Sequence, residues 1–336
     1  MKVIQLLNWK LNTIEKELEN IKNQGFDAIQ INPMQPFKEE QQFHWWSSYQ
    51  PLGFRIGNMF GSKEDLKHLC TLASEQGIDI IVDVILNHMA NKSDNEPLSP
   101  HSSVDKELLT EKRFWKEPIQ LKNGDNRWEA THHCIGLPGL DLRNEDLQDM
   151  IFRYLDELKE CGVSGFRFDA AKHIGLPNDG VNFFEKVREY LLVNDLYGYG
   201  EFLGGQKEWR DAMSKLLMVL SPYGTTLEDL NQLIAFIESH DTYLNFGPHD
   251  NITTTRILTP EKLINAYRKV RNLNNNSIVY VRPNDENNEF SRNKAKRTID
   301  EVQKLDEREH FTRLYFENPL IKEINNNQPK VLVKHT

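Results

Sequence analysis

Cysteine is scarce: Cys70, Cys134 and Cys161 are the only three in 336 residues. They are odd in number, scattered and without a CxxC spacing, so neither a disulfide framework nor a zinc site is indicated, and buried structural thiols are the expected reading. Long hydrophobic runs are also missing. No stretch approaches the about 18 apolar residues of a membrane-spanning helix. The amino-terminal MKVIQLLNWKL lacks a small-residue cleavage site and runs into an amphipathic pattern, so it reads as a first strand rather than a leader. With unpaired thiols, a cytoplasmic location is expected. Positive charge is in deficit, 41 Lys and Arg against 50 Asp and Glu, and the formal charge of −9 repels phosphate backbones and anionic headgroups. Nucleic acid and membrane surfaces are therefore excluded as expected partners. No GxGxxG follows the first strand, where the chain reads LLNWKLNT, which argues against a doubly wound dinucleotide fold.

What is present is a rhythm. Apolar, β-branched runs at 3–7, 28–31 and 78–86 alternate with helical patterns at 14–23 and 62–76. After a long excursion the alternation resumes with a helix at 147–160, strands at 165–168 and 196–201, and a helix at 182–192. Weaker strands follow at 216–220, 234–237 and 277–280. Strands separated by helices pair in parallel with right-handed crossovers, and eight such units close as a barrel. The predicted fold is α/β, a TIM (β/α)8 barrel over 1–88 and 140–300. Residues 89–139, rich in Pro, Ser, Asn and charge, form a small inserted subdomain after strand three. A helix and tail occupy 301–336, with no room for a complete C-terminal β-domain.

Four stretches put polar or charged groups at the C-terminal ends of predicted strands, where barrel active sites lie: DVILNH (83–88), GFRFDAAKH (165–173), YGYGEF (197–202) and FIESHD (236–241). In order and residue type these four resemble the signature regions of the α-amylase family of glycoside hydrolases (glycoside hydrolase family 13). The resemblance runs from LLNWKLNTIEKEL through WWSSYQP (45–51) to Asp241.

Retaining cleavage of a glycosidic bond needs one carboxylate as nucleophile and one carboxyl group as proton donor, roughly 5 Å apart. The resemblance assigns these roles to Asp169 and Glu201, and gives Asp241 the task of holding sugar hydroxyls and stabilising the oxocarbenium-like transition state. Arg167, two residues before Asp169 on one strand, points to the same side and is expected to keep Asp169 ionised. Glu201 must instead hold a proton near neutral pH, which burial beside Tyr197, Tyr199 and Phe202 would favour. The resemblance further implies that Asp83 organises the site and that His88 and His240 donate hydrogen bonds to the sugar. Trp45, Trp46 and Tyr49 sit in a polar loop after strand two. Their family counterparts stack on sugar faces, while the pair matching Lys172 and His173 contacts the leaving-group sugar.

Relatives commonly hold calcium between barrel and insertion. The resemblance maps that site onto the Asn87 side chain and the His173 carbonyl, but LPGLD (137–141) has Gly139 where an aspartate ligand is expected. Six to eight oxygens with carboxylate charge are needed, so the site should be weak unless Asp141 or Asp125 compensates. Ser239 stands where chloride-activated relatives carry asparagine, so no chloride is expected. The implied activity is hydrolysis of α-1,4-glucosidic bonds in starch, glycogen or malto-oligosaccharides. The alternatives are an α-glucanotransferase using the same carboxylates and a non-catalytic α-glucan-binding barrel.

Overall fold

The computed structural model describes residues 1–38, 46–237, 239–241, 266, 269–270 and 276–280. Trp45 and the helix and tail expected at 301–336 lie outside the described residues.

Eight short apolar segments form a closed barrel of parallel strands. These are β1 (Lys2–Leu6), β2 (Ala28–Ile31), β3 (Asp79–Val84), β6 (Gly165–Phe168), β7 (Tyr197–Glu201), β8 (Met218–Pro222), β9 (Leu233–Phe236) and β10 (Ser277–Tyr280). Around the barrel the order is β1-β10-β9-β8-β7-β6-β3-β2, so each strand neighbours the next barrel strand in sequence. All eight predicted strands are present, with ends shifted by a residue or two.

Burial on both faces explains why these strands read as continuous apolar runs. Outward side chains such as Ile4, Ile29, Val82 and Phe166 pack under the helices, in a core continued by Leu11, Ile14 and Leu18 of α1 (Leu11–Asn23) and Leu66 and Leu69 of α2 (Lys63–Glu75). Helix α2 starts at a capping box, Ser62 accepting from the Asp65 amide and Asp65 from that of Ser62.

Between β3 and the next long helix the chain leaves the barrel. It forms a hairpin of β4 (Asn91–Ser93) and β5 (Glu96–Pro100) and the short helices α3 (Lys106–Thr110) and α4 (Arg127–His132). Elements this short leave no period in the sequence, which is why 89–139 reads as irregular. Helices α5 (Glu145–Glu160), α6 (Phe183–Val193) and α7 (Lys207–Ser214) complete the described layer. Among the described residues no helix is long and apolar enough to cross a membrane, and the three cysteines are free and buried.

Glycines let strands and helices approach. At Gly165 a Cβ would lie 2.7 Å from the Tyr197 carbonyl oxygen, and at Gly198 2.3 Å from Leu191 Cδ1 of α6.

Candidate active site

Alternation along the strands aims every second side chain inward. Val3, Ala28, Ile81, Tyr197, Met218, Ile234 and Ile278 fill the barrel with an apolar core. Two residues further along their strands, Gln5, Gln30, Asp83 and Tyr199 take the inward positions, and polar groups begin there. The Tyr199 hydroxyl donates to Gln30 Oε1 at 2.9 Å. Parallel pairing sets Asp83 opposite Arg167, and Arg167 opposite Tyr199.

Arg167, 1% exposed, is the centre of this layer. Its Nη1 donates to Asp83 Oδ1 at 2.8 Å and Oδ2 at 3.1 Å and to Asp169 Oδ1 at 2.5 Å, while Nη2 binds Glu201 Oε1. One guanidinium thus faces three carboxylates. Burial outweighs the single cation and pushes Asp83 up to about 7, with Arg167 opposing and Asp169 adding to the rise. Glu201 is likewise raised to about 7, by burial first, against Arg167, with Asp169 and Asp241 adding to the rise.

Asp169 differs from the expectation that Arg167 simply lowers its pKa. Burial lifts it above the ordinary carboxylate value, and the adjacent guanidinium only opposes that rise. An arginine two positions away is visible in the sequence, whereas the desolvation that accompanies it is set by the fold. Directly after Asp169, Ala170 adopts a left-handed conformation with φ 47°, and its amide donates to Glu201 Oε2 at 3.2 Å. A non-glycine residue held there carries strain of order 1–3 kcal/mol and ties the two acidic side chains together.

Above this cluster opens a pocket of about 690 Å³, lined by Asp169, Glu201 and Asp241, by Trp46, Tyr49, His88, Lys172, His173 and His240, and by Gln50, Ile135, Leu137, Ala170 and Leu203. Tyr49 ends a single turn, Ser47–Tyr49; its hydroxyl donates to Asp83 Oδ2 at 2.8 Å and its ring stacks on His240 with centroids 5.2 Å apart. Gln5 bonds His240 Nδ1 at 2.8 Å, and His240 Nε2 lies 3.5 Å from Asp241 Oδ2. Burial, then Arg167, lowers His240 to about 3, so the ring is neutral. With the Gln5 amide donating to Nδ1, the proton is assigned to Nε2, facing Asp241.

Beside Tyr49, His88 Nε2 donates to the Tyr49 carbonyl at 3.0 Å. Lys172 Nζ donates to the Leu203 carbonyl at 2.6 Å, and His173 Nδ1 to that of Ala130 in the insertion at 3.0 Å. Trp46 is 37% exposed, leaving ring surface open to a ligand.

The residues assigned to calcium do not fit a divalent ion. Asn87 Oδ1 and the His173 carbonyl converge on the ammonium of Lys116, at 3.0 and 2.7 Å. The candidate compensators are engaged elsewhere: Asp141 with Arg143 at 2.9 Å, and Asp125 with the Gly205 amide at 3.0 Å. Among the described residues, no group of three or more His, Cys, Asp or Glu is arranged to hold a metal.

Comparison with known proteins bears on the family and the fold. The family described as Alpha amylase, catalytic domain, matches residues 9–277. The chain belongs to the alpha-amylase family. A curated alpha-amylase of Clostridium acetobutylicum is 32% identical over 271 residues, covering 72% of this chain and 35% of that protein. The chain spans about a third of the length of the first curated alpha-amylases it matches. In fold it is similar to a variant of alpha-amylase I from Eisenia fetida solved with maltohexaose, with TM-score 0.67 and 19% identity over 84% of this chain and 66% of that one. It is also similar to a cyclomaltodextrin glucanotransferase, with TM-score 0.67 and 17% identity over 94% of this chain and 71% of that one. For an alpha-amylase family member, three participants went unforeseen: Gln5, Gln30 and Lys116. Only the inward parity of Gln5 and Gln30 on their strands could have signalled them.

Proposed function

We propose that this chain hydrolyses α-1,4-glucosidic bonds of starch-like glucans with retention of anomeric configuration. The observation that carries the reading is the single guanidinium of Arg167 holding Asp169 on one terminal nitrogen and Glu201 on the other, at the floor of the pocket. Sharing one guanidinium favours the short separation of roughly 5 Å that a double displacement requires.

In this reading the Asp169 carboxylate, paired with Arg167, attacks the anomeric carbon. Glu201, raised to about 7, gives its proton to the departing glycosidic oxygen. Water then attacks the same carbon while Glu201 takes one of its protons, so a bond from the anomeric carbon to the water oxygen forms as the bond to Asp169 breaks. Asp241 and His240, aligned by Gln5, hold sugar hydroxyls beside the reacting carbon. Trp46 and Tyr49 offer aromatic surface to the sugar, and Lys172 and His173 face the leaving-group side. The maltohexaose complex of the Eisenia fetida enzyme supports an α-glucan as substrate.

Product analysis on maltoheptaose and soluble starch tests the reading. New reducing ends in proportion to bonds broken are expected. Longer glucans without new reducing ends would assign the chain to glycosyl transfer instead, and no turnover of either substrate would remove the activity altogether.

A further inference from the structure

The junction between barrel and insertion is built by backbone pairing. The Leu140 amide donates to the Asn87 carbonyl at 2.8 Å, the Met89 amide to that of Pro138 at 3.0 Å, and the Lys116 amide to that of Gly139 at 2.9 Å. This brings the Lys116 side chain between DVILNH and the loop after β6, and it is 7% exposed there. Its stem fills the space beside residue 139: a Cβ on Gly139 would lie 3.0 Å from Lys116 Cδ and 3.2 Å from Cys134 Sγ. A larger side chain at 139 and the Lys116 stem therefore compete for one volume. With glycine at 139 the stem passes, and the ammonium reaches Asn87 Oδ1 and the His173 carbonyl.

We propose that the Lys116 ammonium is the cation of this junction. It draws Asn87 of β3's following loop and His173 of the loop after β6 onto one positive charge, and so closes the connection between barrel and insertion without a divalent ion. A tethered ammonium donates hydrogen bonds to a carboxamide and a carbonyl, the same oxygens that a hard cation would coordinate. It demands no carboxylate, and Gly139 supplies none. Being covalently attached, it is not lost on dilution or chelation.

The test compares the wild-type chain with Lys116→Met, which keeps an unbranched apolar stem and removes the charge. Thermal melts are recorded in millimolar calcium and in chelator, and terbium luminescence, sensitised through the neighbouring Trp115, is titrated in parallel. For the wild type, the same Tm in both buffers and no saturable terbium signal are expected. For Lys116→Met, a Tm lower by about 3 to 8 °C in both buffers is expected, since one buried and one partly buried acceptor lose a charged donor. A packing role alone would leave this variant at the wild-type Tm, and that result overturns the proposal. So does a wild-type Tm raised by about 5 to 10 °C in calcium, the shift a ligand at a hundredfold excess over its dissociation constant would give, together with one saturable terbium site. Should Lys116→Met fail to fold, the wild-type titration decides alone.

Discussion

Replacing Arg167 by Met removes the one cation shared by Asp83, Asp169 and Glu201 while keeping a stem of similar length. All four groups are buried or nearly so, with side-chain exposures of 1% for Arg167 and Asp83, 11% for Asp169 and 14% for Glu201, so solvent screens them little. Breaking a buried ion pair by removing one partner costs about 3–5 kcal/mol. That corresponds to a hundred- to several-thousand-fold loss, roughly, in the folded-to-unfolded ratio. The cost should depend on pH. Glu201 rises from an ordinary 4.5 to about 7 in the folded chain, so its protonated form favours folding. That contribution is complete below about 4.5 and is lost as pH rises through about 7. Asp83 behaves alike, from 3.8 to about 7. Without Arg167 the carboxylates are pushed higher still, so Arg167→Met should approach wild-type stability at about pH 5 and fall well below it at about pH 8. Urea denaturation at the two pH values measures this. A deficit below about 1 kcal/mol at both, or an equal deficit at both, would refute the assignment of Arg167 as the balancing charge.

Glu201→Gln should lower kcat on starch by about 10²–10⁴ while largely sparing the first step on activated aryl glycosides, whose leaving groups need no proton; equal loss on both substrates counts against the acid role. Gln5→Leu takes the donor from the buried His240 Nδ1, so a drop of about tenfold in kcat/KM, the equivalent of one hydrogen bond, together with a Tm lower by a few degrees is expected from steady-state kinetics and thermal melts. Gly165→Ala forces a methyl against the Tyr197 carbonyl and should destabilise the barrel by about 1–3 kcal/mol in urea melts without touching the pocket. A wild-type midpoint would contradict the close approach of β6 and β7.

The barrel was legible because its strands are buried on both faces and its outer helices amphipathic: 165–168 and 28–31 read as strands to the residue. The carboxylates were legible because each falls in one of four motifs at or after the C-terminal end of a strand, and the order and residue types of those motifs resemble the signature regions of the family. What escaped depends on pairs far apart in sequence. Gln5 and His240 meet across the closure of the barrel. Lys116 sits in a segment without periodicity, and nothing local shows that its ammonium reaches Asn87 and His173. The rise of Asp169 belongs to burial, and an arginine two residues away speaks only of charge.

The most direct test of a double displacement at Asp169 and Glu201 is proton NMR of the first products released from a malto-oligosaccharide, recorded before mutarotation. Inversion at the anomeric carbon occurs twice in this mechanism, so the α-anomer signal should appear first. A predominant β-anomer would mean that water attacks the sugar directly, and Asp169 would then not be the nucleophile.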